Sequence, residues 1–297
     1  MPEAIVECVP NFSEGRNPEI MEAIVNAVKN TKGVKLLDWS HDVNHNRMVV
    51  TFIGSPESIM EGAFNSSRKA VELINLNQHT GEHPRIGAVD VIPFVPVSGI
   101  TLEECAQLAH QCGKRINQDL KLPVYYYEAA AQKPERKNLS DVRNIGYEKL
   151  KIEVKNKDRH PDEGMPELHP TAGAVVIGAR PFLVAFNVNL LSSDLKIAKA
   201  IANRVREAKG GLKNVKALGM ELKDRGMVQV SMNLVNCDET PIYRAIELVK
   251  VEAKRYGIAV AETEIVGLVP LKYMIDTAVY YMQLEGFKTE QILDTRL

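Results

Sequence analysis

Twice along the chain a short apolar run, an amphipathic helix, two alternating strands, a second helix and another strand follow one another in the same order. In the first half AIVECV (4–9) reads as a buried strand, and Asn17 with Pro18 supplies an N-cap and a proline at the first helical position. Ile20, Ile24 and Val28 then recur at i, i+4 and i+8, one face of a helix that ends near Asn30. VKLLDW (34–39) and RMVVTFI (47–53) make a hairpin around a polar insert. Ser55-Pro56 opens a helix carrying Ile59, Ala63, Phe64, Val71 and Ile74, and VDVIPFVPV (89–97) is the closing strand. Pro93 and Pro96 cannot donate to a ladder, which predicts a sheet edge for that strand.

The second half repeats the order. FLVAFNVNL (182–190) is a strand, and Ser192 or Ser193 caps a helix with Ile197, Ile201, Val205 and Ala208 on one face before Gly210-Gly211. VKALGMEL (215–222) and MVQVSMNLV (227–235) pair through Asp224-Arg225-Gly226. Thr240-Pro241 starts a helix with Ile242, Ile246, Val249, Ala253 and Tyr256 in phase, and IAVAETEIV (258–266) completes the unit. Two βαββαβ units predict an α+β protein of two ferredoxin-like subdomains, each an antiparallel sheet with helices on one face. The expected division is 1–178 and 179–297, and 297 residues suffice for two such cores. The repetition is one of element order, not of residue identity. Between the units, Thr101 and Glu104 form a capping box for a helix reaching Leu120, and PVYYYE (123–128) reads as an extra strand. Residues 129–173 are polar, and a connection that long is functional or disordered. A last helix is expected near 270–284.

Hydrophobic residues make up 45% and charged residues 25%, values of an ordered globular protein. The 37 basic and 38 acidic residues leave a formal net charge of −1, so no global field attracts nucleic acid or anionic lipid. No stretch approaches the length of a membrane span, so neither nucleic acid nor membrane is an expected partner. MPEAIVECVP lacks the basic and apolar regions of a signal peptide. Four cysteines without C-x-x-C spacing suit a reducing compartment, hence a cytoplasmic location. Cys105 and Cys112 share a helical face with Leu108 and Ile116 and read as core.

All seven histidines lie at or before residue 169, which places any acid–base chemistry in the first unit and its connection. The stretch His79-Thr-Gly-Glu82-His83-Pro84-Arg85 contains H-x-x-E-H, the inverted zinc-peptidase pattern. That pattern needs both histidines on one helical face, whereas Gly81 and Pro84 break a helix here, so no metal is expected. The stretch reads better as a rigid loop in which Glu82 orients the His83 imidazole and Arg85 binds an anionic group. The bland alternative is a turn with a Glu82–Arg85 surface pair worth under about 1 kcal/mol. Ser40 to Arg47, with Asp42 inside it, is either an ordinary solvated loop or a substrate loop. Gly173-x-x-x-x-Gly178 lacks the Lys-Ser/Thr of a phosphate loop, and no G-x-G-x-x-G follows a strand, which demotes nucleotide enzymes of those types.

VECVPNFSEGRN (6–17), LLD (36–38) followed by HNRMVVTFIGSPE (45–57), GEHPRIGAVDVIPFVPVSG (81–99), GARPFLVAFNVNLL (178–191) and IVGLVPLKYMIDTA (265–278) resemble the glutamate formiminotransferase family. These are folate-dependent transferases of histidine degradation, and the likeness covers nearly the whole chain. It implies two ferredoxin-like subdomains, a homodimer, and a free-standing transferase without the fused cyclodeaminase domain of vertebrate members. The implied reaction moves the formimino group of N-formimino-L-glutamate to N5 of tetrahydrofolate, giving 5-formiminotetrahydrofolate and glutamate. The partners are thus folate, as co-substrate, and a small glutamate derivative, and no metal or redox cofactor is required. The histidine of GEHPR, His83, is implied as the acid–base residue. Gly164, Met165, Pro166, Glu167, Leu168, His169, Pro170, Thr171, Ala172 and Gly173 fall where the family binds folate. Inside that stretch Ala172 replaces an aromatic residue of the vertebrate pattern, and Ser40 replaces an acidic one, with Asp42 nearby. Arg47, Arg85 and Arg180 flank the motifs and are candidates for the substrates' carboxylates. Formyl transfer from N-formylglutamate and non-catalytic folate binding are the alternatives, with a zinc peptidase last.

Overall fold

A computed structural model describes residues 3–81 and 83–296. Contacts divide the chain into two compact units, Met1–Pro181 and Phe182–Leu297.

The first unit runs β1 (Ile5–Cys8), β2 (Asn11–Phe12), α1 (Pro18–Lys29), β3 (Val34–Asp42), β4 (Arg47–Gly54), α2 (Pro56–Leu73), β5 (Val89–Ser98), α3 (Leu102–Leu120), β6 (Val124–Glu128), α4 (Leu139–Arg143), α5 (Gly146–Glu153) and β7 (Val175–Ala179). Helices α1 to α4 begin where side chains satisfy orphan N–H groups of the first turn. Asn17 accepts from the Glu19 and Ile20 amides, Ser55 from Ser58, and Thr101 with Glu104 closes a capping box. β1 and β2 are one strand interrupted at Val9-Pro10, since both pair with β4 and β5. The sheet order is therefore β3, β4, β1/β2, β5, the ferredoxin-like arrangement, continued by β7 and β6 running parallel to β5.

Strand alternation sends Val6, Cys8, Phe12, Met48, Val50 and Phe52 onto α1, α2 and α3. Opposite faces of β5, β7 and β6 carry Val91, Tyr125, Tyr127 and Val176, and α4 and α5 cover these with Val142 and Leu150. The polar connection is thus largely ordered, and its two short helices create a second, smaller core. Val175–Ala179, inside the segment compared above with a phosphate loop, is a buried strand.

β5 lies inside the sheet, not at its edge, despite its prolines. The Pro93 carbonyl accepts from the Val9 amide at 3.4 Å, so the missing Pro93 donor faces the break between β1 and β2. Phe94 accepts from the Arg180 amide at 3.1 Å just past the last residue of β7, so Pro96 points beyond that strand's end. A proline is tolerated in an interior strand where its neighbour has no rung to lose.

The second unit runs β8 (Val184–Leu190), α6 (Leu195–Val205), β9 (Val215–Leu222), β10 (Met227–Leu234), α7 (Ile242–Lys254), β11 (Val260–Val266) and α8 (Leu271–Met282). Its antiparallel sheet, in the order β11, β8, β10, β9, repeats the ferredoxin-like arrangement. Its core joins Val188, Val230 and Met232 to Ile201, Val205, Ile246 and Val249 of α6 and α7. The cap of α6 is Asp194, which accepts from the Lys196 amide at 2.8 Å, rather than Ser192 or Ser193. Ser192 instead accepts from the Asp194 amide, one step earlier in the same turn. α6 ends at Val205 because Arg206 is extended, leaving Ala208 in a short 3-10 turn, and Tyr256 is exposed after α7. No helix among the described residues is long and apolar enough to cross a membrane. Cys8, Cys105, Cys112 and Cys237 are free and buried.

A Cβ at Gly178 would lie 2.4 Å from the Tyr127 carbonyl oxygen, backbone that cannot swing away. Gly178→Ala is expected to lower stability by about 1–3 kcal/mol in urea denaturation through overpacking; an unchanged midpoint would refute the close approach of β6 and β7.

Candidate active site

Three loops meet at Asn46, the last residue of the β3–β4 turn, whose φ of 48° is left-handed. Its Oδ1 accepts from the Gly15 amide at 2.9 Å, its Nδ2 donates to the Thr80 carbonyl at 3.0 Å, and its own carbonyl accepts from His79 Nε2 at 2.9 Å. The approach is close enough to exclude side chains. A Cβ on Gly15 would lie 2.4 Å from the Asp42 carbonyl oxygen, and one on Gly81 2.3 Å from that of His45. The loop between α2 and β5 is pinned again by Arg85, which donates from Nε to His79 Nδ1 at 2.7 Å and from Nη2 to the His79 carbonyl and Glu148 Oε1, each at 2.9 Å. Because Arg85 can only donate, His79 Nδ1 is the acceptor and Nε2 carries the proton given to Asn46. Burial, above all, lowers the pKa of His79 and keeps it neutral. His79 and His83 lie on this loop rather than on a helix, which removes the geometry the zinc pattern needs. Glu82 lies outside the described residues.

His83 is half-buried, and its Nδ1 lies 2.8 Å from the Pro84 carbonyl. A carbonyl only accepts, so Nδ1 bears the hydrogen and Nε2 is the basic nitrogen. The ring meets His45 edge-on, with centroids 5.9 Å apart. Asp42 holds His45, its Oδ1 accepting the His45 amide at 2.7 Å and its Oδ2 lying 3.3 Å from Nδ1. Burial pushes the Asp42 carboxyl up, but the His45 amide and imidazole together pull it below the usual range. His83 is pulled down to about 3, first by burial and then by the cations Arg47 and Arg143.

Those arginines stand on the face of the first sheet opposite α1 to α3. Arg47 Nη2 donates to Asn11 Oδ1, while its buried Nε has no partner. Burial and the facing Arg143 lower its pKa to about 10. Arg143, at the end of α4, donates to Asp90 Oδ2 at 3.1 Å, and Asp90 Oδ1 accepts the Ile86 amide at 2.8 Å. Further along the same face Arg180 lies beside Glu7 and the buried Tyr127, and its Nη1 donates to the Pro181 carbonyl at 3.0 Å. Burial, opposed by Arg180, raises the Glu7 carboxyl to about 7.

Gly164–Gly173 runs along the His79–Gly87 loop. The Leu76 amide donates to Thr171 at 2.8 Å, the Ala88 amide to Ala172 at 2.9 Å, and Asn77 Nδ2 to Pro170 at 2.8 Å. Gly164 and Gly173 have φ of 96° and 72°. His169 Nδ1 accepts the Ala172 amide at 3.1 Å and closes the turn. Met165, Glu167 and Pro170 are exposed, Pro166, Leu168 and His169 half-buried, and Ala172 lies in the core. Ala172 therefore offers no side chain to a ligand.

The fold thus gathers Asp42, Arg47 and His83 at one place, puts Arg180 further along that sheet face, and ties Arg85 to His79 and Glu148. Sequence reasoning held His45 and Asn46 only as members of the Ser40–Arg47 loop, and it missed Arg143, Asp90, Glu7 and Asn11. Glu7 and Asn11 carried a readable signal, since each alternates with the core residues Val6, Cys8 and Phe12 on strands of one sheet. Arg143 carried none.

Asn46→Ala removes two side-chain hydrogen bonds and leaves a left-handed residue with a Cβ, so it is expected to cost about 2–4 kcal/mol, with Asn46→Gly about 1 kcal/mol milder. Equal losses in urea denaturation would show that the backbone conformation is immaterial. Glu7 gives an opposite pH signature to an ion-paired carboxylate. The unfolded chain releases its proton near pH 4.5 and the native protein near 7, so native stability falls as pH rises through that window. Glu7→Gln is expected to abolish the fall and gain up to about 3 kcal/mol at pH 8 relative to pH 4; thermal melts at the two pH values measure it, and parallel wild-type and variant curves would overturn the assignment.

Residues 5–180 match the model of the formiminotransferase domain, N-terminal subdomain, and residues 185–294 that of the formiminotransferase domain. The chain is 49% identical over 296 residues to the glutamate formimidoyltransferase of Thermoplasma acidophilum, covering 99% of this chain and 97% of that one. It is 47% identical to the glutamate formimidoyltransferase of Streptococcus pyogenes, covering 99% and 98%. Its 42% identity to the formimidoyltransferase-cyclodeaminase of Mus musculus extends over 95% of this chain and 53% of that protein. Both subdomains and full-length likeness to two transferases leave one conclusion: the chain belongs to the formiminotransferase family and is a transferase.

Proposed function

We propose that this enzyme transfers the formimino group of N-formimino-L-glutamate to N5 of tetrahydrofolate with His83 as general base and then general acid. The observation that carries the reading is a neutral imidazole whose Nδ1–H is fixed on Pro84 and whose Nε2 is therefore the basic atom. N5 attacks the amidine carbon, forming the N5–C bond of a tetrahedral intermediate, and Nε2 takes the N5 proton. The imidazolium then gives that proton to the glutamate nitrogen as the C–N bond breaks, releasing glutamate and 5-formiminotetrahydrofolate. One proton passes through one nitrogen, and no oxidant, reductant or metal enters the balance.

Burial, with the charges of Arg47 and Arg143, keeps the free His83 unprotonated, so Nε2 is vacant when the intermediate forms. Asp42, through His45, fixes the neighbouring wall. We assign folate to the Gly164–Gly173 segment, with Met165, Pro166, Glu167, Leu168, His169 and Pro170 offering side chains and Thr171, Ala172 and Gly173 shaping the backbone. Arg85 acts through His79 as a positioning residue, and Arg180 is available to the second carboxylate-bearing partner. The further expectations are a homodimer, a cytoplasmic location, and subdomains divided between residues 178 and 179.

His83→Ala is expected to reduce kcat/KM about 10²–10⁴-fold with the melting temperature little changed. Transfer near the wild-type rate would overturn the assignment. In the wild type, kcat/KM is expected to hold down to about pH 4 with respect to this group, because its free-enzyme pKa is about 3 rather than 6.5.

A further inference from the structure

Two half-buried guanidinium groups, Arg47 and Arg143, lie within electrostatic reach of each other and of His83, and only Arg143 has an ion pair of its own. Asp90 compensates one of them. Its Oδ2 accepts from Arg143 at 3.1 Å and its Oδ1 accepts from the Ile86 amide at 2.8 Å, so its charge acts on Arg47 from a distance and not through an ion pair. Asp42 is turned to the hairpin tip, where the His45 amide and imidazole hold both its oxygens. Arg47 meets only the neutral amide oxygen of Asn11, and its Nε is a buried donor with no partner. A largely desolvated guanidinium with a buried N–H unsatisfied and no ion pair of its own is costly until an anion completes it. Evolution of a stable fold gives no reason to build this arrangement, whereas binding a planar anion does.

We propose that Arg47 and Arg143 form a preorganised carboxylate subsite that takes one carboxylate of the formimino donor's glutamyl group. The proposal rests on the transferase reading above. A carboxylate presents two oxygens in one plane, matching the Arg47 Nε–H and the remaining Arg143 donors, and Asn11 and Asp90 set both guanidinium orientations in advance. The place also suits the donor, because Asp90 ties Arg143 to the Ile86 amide of the loop that carries His83, the group that must reach the leaving nitrogen. A carboxylate on the folate glutamyl tail has the same chemistry, and the measurements below separate the two sources. Occupation would remove part of the positive charge facing His83, so donor binding itself would make the imidazole a better base. Arg143 is then a residue of the donor site contributed by α4, inside the long connection between the two repeated units.

Arg143→Lys keeps a positive charge against Asp90 and loses the fork. It is expected to raise the KM for N-formiminoglutamate at least tenfold while the KM for tetrahydrofolate stays within twofold. A donor KM within twofold of wild type would overturn the proposal, as would a rise confined to tetrahydrofolate, which would assign the subsite to the folate tail. In the wild-type enzyme, L-glutamate is expected to compete with the donor, and one of its two monoamides, L-glutamine or L-isoglutamine, to compete at least tenfold more weakly. Two amides as effective as glutamate would also overturn it, without any variant having to fold. Calorimetric binding of L-glutamate to wild type and to Arg143→Lys needs no turnover. A wild type that binds glutamate through Arg143 without transferring a formimino group would leave the subsite standing and overturn the transferase reading alone.

Discussion

The arrangement around His83 depends on one asparagine held in a left-handed conformation. Asn46 satisfies an amide of the β2–α1 loop, a carbonyl of the α2–β5 loop and the proton of His79, and so ties three segments that approach too closely for side chains at Gly15 or Gly81. Each bond alone is worth about 1 kcal/mol. Their combined effect is geometric: they place His45, Arg47 and His83 on neighbouring walls without any of these side chains having to find its position by itself.

The polar face of the first sheet extends that arrangement. A sheet with helices on one face ordinarily leaves the other to water. Here that face is partly covered by α4 and α5, and the groups left on it are the buried carboxyls Glu7 and Asp90 and the half-buried Arg47, Arg143 and Arg180. Burial raises Glu7 to about 7 and lowers His83 to about 3, shifts in opposite senses within one site. Both favour the uncharged form, the common result of desolvation. The same burial makes the remaining arginine charge costly, and that cost favours an anionic ligand.

How much of this could be read beforehand varies by element. The N-caps Asn17 and Ser55 and the capping box at Thr101 mark helix starts that the fold adopts, because a cap involves residues two or three apart. The interior place of β5 was misread, since the residues that excuse Pro93 and Pro96 belong to β1 and β7. β7 was hidden because two glycines at its ends suggested a loop, yet Gly178 is needed where the Tyr127 backbone comes within reach. Among site residues, His83 stood out through its motif, whereas the motif could not tell that Arg85 would be engaged by His79 and Glu148.

By itself the sequence determined the two βαββαβ units, their caps and the histidine loop, because periodicity, turns and motifs are written within a few residues of one another. Only the tertiary structure decided that Arg143 stands before Arg47 and His83. Arg143 meets Asp90 across 53 residues of chain, and that meeting exists because β5, β7 and β6 align and α4 packs on them. The charge state of the imidazole, and with it the chemistry available to the site, follows first from burial and then from the arginines that this long-range packing brings near, and no local pattern encodes either.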